Sequence, residues 1–400
     1  MSRILIISTK QPSTNPRMRK AADALAAAGH QVHVLYAYTA EWALQADVRI
    51  LESAAWTHQL IGGSPHVQRF SFLLNRIVRK AWSYVGYSPR AMCRGYGDYI
   101  TFGLRWKPDV IVGHNPGTLG PLYRISRQLG IPAIFDAEDF HRGELPPNSR
   151  ETLRVIALED KFLPRMTAGT AASPLICTSY REVYPEIPWT TIDNAFPRAS
   201  QPSAPTSMEG PLRLVWFSQV VGLDRGLSEF IAGMGHAKKA VIHLSVIGLS
   251  TEEVRSALME LNGEGKNSLD FLPPMHEAAL FEFLTTQEIG LAIEPGTTSN
   301  NRLARSNKLF VYPLCGVYML ISETPSQLEF RKEFPETGTH VDLNQPASIG
   351  ERLDSLWDER ETIHVKRIAA WEVARERLHW ESESNRLVEA VESACRTFRN

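Results

Sequence analysis

No stretch of the chain runs to about 18 apolar residues without interruption, so no segment is built to cross a bilayer as a helix. Its four cysteines, Cys93, Cys177, Cys315 and Cys395, stand far apart and form no C-x-x-C pair, which argues against a zinc site and fits a reducing compartment. Excess charge is missing too: a formal net charge of -1 leaves no global field to draw nucleic acid, and any basic surface must be local. There is no G-x-G-x-x-G dinucleotide fingerprint and no internal repeat. The start, Met1-Ser2-Arg3 followed by Ile4-Leu5-Ile6-Ile7, has too short an apolar part for a signal peptide and lacks a small-residue cleavage pattern. A cytoplasmic protein is expected, with a visit to the inner membrane face as the one extension its basic segments allow.

What is present is the balance of a globular protein, 43% hydrophobic and 22% charged, over 400 residues, which is comfortable for two cores. Short apolar runs alternate with helical patterns. Ile4–Ile7 reads as a buried strand, Ala21–Ala28 as a helix stopped by Gly29, and Val32–Tyr36 as the next strand. The pattern returns at Val110-Ile111-Val112 and Ala133-Ile134-Phe135. Alternation of this kind specifies parallel strands joined by crossover helices. The rhythm breaks once, in the proline- and serine-rich stretch 198–211, and restarts at Leu212. The expected organisation is therefore an α/β protein of two Rossmann-like doubly wound domains facing a cleft. The first spans 1–197, a linker 198–211 and the second 212–380, with a last helix over 381–400.

In such sheets the chemistry lies just past the strand ends. After the first strand, Asn15-Pro16 reads as a helix cap, and Arg17 in the first turn is a cation without an evident partner; it is either solvated or grips an anion. His114 follows a buried strand, where it is either structural or orients a hydroxyl and shuttles a proton. Asp136, Glu138, Asp139 and Glu144 crowd His141 and Arg142 after the next strand. Caps account for one or two of these carboxylates; acid-base work, sugar binding or metal binding could use the others. In the second half, Arg225-Gly226-Leu227 closes a glycine loop at a helix start, a place where backbone N–H groups receive phosphate. Glu294 ends another strand, and Arg302, Arg305, Asn307 and Lys308 follow in one loop. Three cations around a helix start are unfavourable without an anion, and a pyrophosphate would resolve the conflict.

Between Phe70 and Val85, apolar residues fall at Phe70, Leu73, Leu74, Ile77, Val78, Ala81, Trp82 and Val85, with Arg69, Arg76, Arg79 and Lys80 beside them. The expected reading is an ordinary amphipathic helix packed on the domain with a basic outer face. The alternative is peripheral membrane contact through the basic helix 69–85.

The order of these pieces resembles the retaining glycosyltransferases of family 4, over nearly the whole chain. The resemblance rests on Gly29-His30, on Lys107-Pro108-Asp109-Val110-Ile111 leading to His114, and on Asp136-Ala137-Glu138. It continues through Asp193-Asn194-Ala195-Phe196-Pro197, Arg225-Gly226-Leu227, Asn307-Lys308-Leu309-Phe310 and Trp380-Glu381. It implies the GT-B fold, with the last helix crossing back to the first domain, and sugar transfer with retention in the cleft. It also implies a UDP- or GDP-linked donor as substrate, no further cofactor and no metal, and a glycan or lipid-linked acceptor; the neutral charge and the lack of an aromatic-basic platform point to no nucleic acid.

The resemblance places His114 near the transferred sugar and Arg225 on the donor phosphates, with no metal ligands. The residue reading adds Asp136 and Glu138 as catalytic candidates, and Gly226, Glu294, Arg302, Asn307 and Lys308 as donor-binding candidates. Polysaccharide biosynthesis is the expected setting. Two departures stand out: the pair of family glutamates eight positions apart falls on Leu303 and Val311, and the double-glycine loop after the first strand is missing. Those departures keep two rivals open, a catalytically silent scaffold on the same fold and a nucleotide-sugar epimerase.

Overall fold

A computed structural model describes residues 1–399. The chain divides into two compact units. The first comprises Met1–Asp193, Thr298–Asn300 and the chain from Glu383 onward; the second comprises Asn194–Thr297 and Asn301–Ser382.

The first unit is a seven-stranded parallel sheet: β1 (Arg3–Ser8), β2 (Gln31–Ala37), β3 (Thr57–Ile61), β4 (Val110–His114), β5 (Ala133–Ala137), β6 (Ala168–Ala171) and β7 (Trp189–Thr191), in the order β3-β2-β1-β4-β5-β6-β7. Ile4 to Ile7 of β1 are fully buried because helices cover both faces. The order reverses between β1 and β4, so their C-terminal ends open the crevice where such sheets bind ligands. Register there places Ser8 beside His114, His114 beside Asp136, and Asp136 beside Thr170. Asn15 caps the helix Pro16–Ala27 by accepting from the Met18 N–H at 3.0 Å, with Pro16 in the first turn.

The second unit is a six-stranded parallel sheet: β8 (Leu212–Val220), β9 (Ile242–Leu249), β10 (Ser268–Leu272), β11 (Ile289–Ala292), β12 (Tyr318–Ile321) and β13 (Gly338–His340), in the order β10-β9-β8-β11-β12-β13. Its reversal lies between β8 and β11. The proline- and serine-rich stretch is tied down along the helix Arg360–Glu376. Trp371 Nε1 donates to the Pro202 carbonyl at 3.0 Å, and Arg367 Nη1 donates to that of Thr206 at 2.9 Å. The last helix, Trp380–Arg399, begins in the second unit and continues in the first, where Leu387, Val391 and Ala394 are buried. Among the described residues, no helix is long and apolar enough to cross a membrane.

The helix Arg69–Ser83 departs from the packing its sequence suggests. Phe72 is its buried residue, while Phe70, Leu73, Leu74, Ile77 and Val78 are exposed. Helical periodicity identified the stripe but not the direction it faces, because the cations lie close to it on both flanks.

Candidate active site

In the second unit, a cavity of about 530 Å³ opens at the sheet reversal. The end of β8 contributes Phe217 to Val220, the segment after β10 gives Pro274 and Met275, and Glu294 follows β11. Arg225 enters from the loop before the helix Leu227–Met234, and Ser306, Asn307 and Lys308 complete the wall. Gly226 precedes that helix with φ +77°, a conformation that side chains with a Cβ adopt only under strain. It turns the chain so that Arg225 reaches the cavity.

Lys308 is buried, with Nζ 3.4 Å from Glu294 Oε1 and 5.0 Å from the centre of the Trp216 ring. Burial pushes its ammonium below the ordinary lysine range, with Arg225 adding to the effect and Glu294 opposing it. Arg225 is exposed, and no carboxylate pairs with it among the described residues. Two cations thus share a cavity wall on which Glu294 is the one acidic side chain. Ser306 Oγ is buried there without a hydrogen-bond partner.

The other cations of that loop are elsewhere. Arg302 is exposed on the short helix Ser299–Leu303 and does not line the cavity. Arg305 is buried, with Nη2 2.7 Å from Glu333 Oε2 and 3.6 Å from Glu329 Oε2, so its charge is answered within the unit. The cations on the cavity wall are thus Lys308 and Arg225 rather than three from one loop. Val311, at the second of the family's glutamate positions, is buried in the core.

In the first unit, Arg17 does not reach for an external anion. Its guanidinium binds both oxygens of Asp136, at 2.7 and 2.8 Å, and its Nη1 donates to the Ile192 carbonyl at 2.7 Å. Thr170 Oγ1 also donates to Asp136, and His114 Nδ1 lies 3.1 Å from Asp136 Oδ2. Burial alone would raise the Asp136 carboxyl; the Arg17 and His114 charges overcome it and hold it far below the usual carboxylate range. Where the sequence suggests acid-base work, Asp136 is engaged by Arg17, Thr170 and His114.

His114 ends β4 with Nε2 buried and unpartnered. The next residue, Asn115, sits at φ +72°, one of three non-glycine residues with positive φ among the described residues. Glu138 lies just past β5 with Lys10 Nζ 3.9 Å away. Burial pushes its carboxyl above the ordinary range, against the pull of Lys10.

A second cavity of about 340 Å³ belongs to this unit, with Lys10, Asn115, His141, Glu144, Thr152 and Arg154 on its wall. Sequence position beside strand ends points to Lys10 and Asn115; nothing in the sequence signals Thr152 and Arg154, which lie within the helix Arg150–Phe162. His141 Nδ1 bonds Glu144. Burial alone would lower His141, but that bond and the nearby carboxylates of Asp139 and Glu159 raise it above its ordinary value. Asp139, His141 and Glu144 bring one ligand atom each within 4.8 Å of one another, a set that could hold a cation.

Behind that wall, Tyr180 Oη accepts from the His141 N–H at 3.2 Å and donates to Glu159 Oε1 at 2.7 Å. Burial pushes the Glu159 carboxyl up to about 7.

Residues 14–192 match the family model of the glycosyl transferase 4-like domain. No curated protein sequence matches the chain. Among solved structures, the chain is similar to sucrose-phosphate synthase from Thermosynechococcus elongatus, at 12% identity and a TM-score of 0.73, covering 99% of this chain and 100% of that one. It is similar also to HepE of Anabaena in complex with UDP-glucose, at 12% identity and a TM-score of 0.68, covering 98% and 100%. A glycosyltransferase from Rickettsia africae matches at 12% identity and a TM-score of 0.66, covering 98% of each chain. At this identity the likenesses carry the fold, two parallel α/β sheets of the kind found in GT-B enzymes. Residues 14–192 therefore carry a glycosyl transferase 4-like domain, and the chain as a whole shares the fold of these enzymes.

Proposed function

We propose that the protein moves a sugar from a UDP- or GDP-sugar onto a glycan or lipid-linked glycan, with the donor's diphosphate seated in the cavity of the second unit. The observation that carries this reading is the sharing of one wall by Arg225 and Lys308, with Glu294 as its one carboxylate. The wall has surplus positive charge, and a diphosphate supplies the missing anion. The N–H groups at the start of the helix Leu227–Met234 add donors. Ser306 Oγ and Asn307 offer further polar contacts, and Glu294 suits a ribose or sugar hydroxyl.

As the bond from sugar to phosphate breaks, negative charge builds on the departing diphosphate. Fixed cations stabilise that charge without reorganising. The reading therefore assigns no metal ion to the step, and retention of configuration follows from the family resemblance. In the first unit, His114 Nε2 and Glu138 are the groups available to an acceptor hydroxyl. Asp136, whose Oδ2 lies 3.1 Å from His114 Nδ1, is a positioning residue that acts on that ring through its charge. Support for a UDP-linked donor comes from the UDP-glucose complex of HepE.

Calorimetric titration with UDP- and GDP-sugars tests the reading. Binding of one donor, weakened in both Arg225→Ala and Lys308→Ala, is the expected result. Folded protein that binds none of them would sink it.

A further inference from the structure

Among the described residues, most of the apolar stripe of the helix Arg69–Ser83 is left uncovered. Phe70 is 83% exposed, Ile77 67%, Leu74 52% and Val78 41%, and the stripe runs on to Val85 at 59%. These residues recur at helical spacing on one face, so the exposure is a continuous band rather than scattered single residues.

Arg76, Arg79 and Lys80 are exposed beside that band, and the sequence has no acidic residue between Glu52 and Asp98. At its edge, Arg79 and Arg90 line a small cavity of about 140 Å³ with Asn75, Val78 and Tyr96. Arg90 lies over the Trp82 ring at 4.9 Å and over the Tyr96 ring at 5.4 Å. Among the described residues, no carboxylate is paired with Arg76, Arg79, Lys80 or Arg90.

We infer that this helix docks the protein on an anionic lipid surface, with the band entering the acyl boundary and the cations meeting lipid phosphates. A second copy of the chain fits the same face badly. Two-fold pairing would set Arg76, Arg79 and Lys80 against their own copies with no acidic residue of the segment between them. A bilayer satisfies both features at once: apolar depth for the band and negative charge at the headgroup level. The small arginine-lined cavity gives one headgroup phosphate a defined seat.

Flotation of the full chain with phosphatidylcholine vesicles, with and without phosphatidylglycerol, tests the assignment. The protein should float with the anionic vesicles only. Arg76→Gln and Lys80→Gln should each lower partitioning about fivefold, and Phe70→Ser combined with Ile77→Ser should abolish it, with thermal melts unchanged. Inorganic phosphate, compared with chloride at equal ionic strength, should compete weakly, because it replaces the headgroup contact but not the apolar one. Absence of binding to anionic vesicles overturns the assignment, as does binding that none of the variants alters. Sedimentation velocity supplies the remaining arm: a dimer dispersed by Phe70→Ser with Ile77→Ser, without vesicle binding, would assign the face to self-association.

Discussion

The Arg17 guanidinium and the Asp136 carboxylate form a forked pair with contacts of 2.7 and 2.8 Å, both side chains only 3% exposed and 119 residues apart in sequence. It ties the first helix to β5, with His114 Nδ1 3.1 Å from the same carboxylate. Replacing Arg17 by Met leaves a buried carboxylate without its cation. Loss of about 3–5 kcal/mol of unfolding free energy is expected in urea titrations. A pH series adds a second readout. Asp136 has a depressed folded value, so its stabilisation is fully present above the ordinary carboxylate range and is lost as pH falls below it. The Arg17→Met variant should therefore show a flatter acid limb than the parent.

Glu159 behaves in the opposite sense. Its folded value is raised from 4.5 to about 7, so its contribution is fully present below the unfolded value and is lost as pH rises through neutrality. At about 1.4 kcal/mol per unit, the penalty above pH 7 is on the order of 3 kcal/mol. Glu159→Gln keeps an acceptor for Tyr180 Oη and carries no charge. The variant should gain on the parent at pH 8 and lose that gain at pH 5. Equal stability differences at both values would show that the carboxyl does not titrate in this window.

Donor affinity separates the cations of the second unit. Arg225→Ala and Lys308→Ala should each weaken calorimetric binding about 10- to 100-fold, the range of a charge-assisted hydrogen bond. Arg302→Ala, outside the cavity lining, should leave binding within about twofold, the scale of a change remote from the ligand. A large effect of Arg302→Ala would place the diphosphate elsewhere.

Gly226→Ala tests the turn that aims Arg225. At φ +77° an added Cβ would lie 2.8 Å from Leu343 Cδ1, so both backbone and neighbour must shift. A loss of about 1–2 kcal/mol is expected in thermal unfolding. Donor affinity should fall alongside it, because the N–H groups of the following helix move with the turn.

Much of this arrangement is legible in the sequence because parallel sheets leave a strong imprint. Runs such as Ile4–Ile7 are apolar on both faces, and the residues just past them are where ligands bind. That logic leads to Arg225, Glu294 and Lys308, which the structure brings to one cavity.

The partners of buried charges are a different matter. Arg17 and Arg305 read as surplus cations because Asp136, Glu329 and Glu333 are distant in sequence; only the fold makes them neighbours. Arg302 is the converse case, since proximity to Lys308 in sequence does not bring it to the cavity. Nor does helical periodicity say whether the Phe70 stripe meets the core or faces outward. Periodicity defines a face; what covers it depends on the rest of the fold.

The cysteines carry a further consequence. Cys93, Cys177 and Cys315 are buried, whereas Cys395 on the last helix is partly accessible. Burial pushes the thiols of Cys93 and Cys315 up, so both resist alkylation until the surrounding structure opens. Cys93 belongs to the first unit and Cys315 to the second. The native chain thus carries a separate reporter in each half. Mapping which thiol an alkylating reagent captures, and how fast, would time the opening of the two halves independently, without any engineered label.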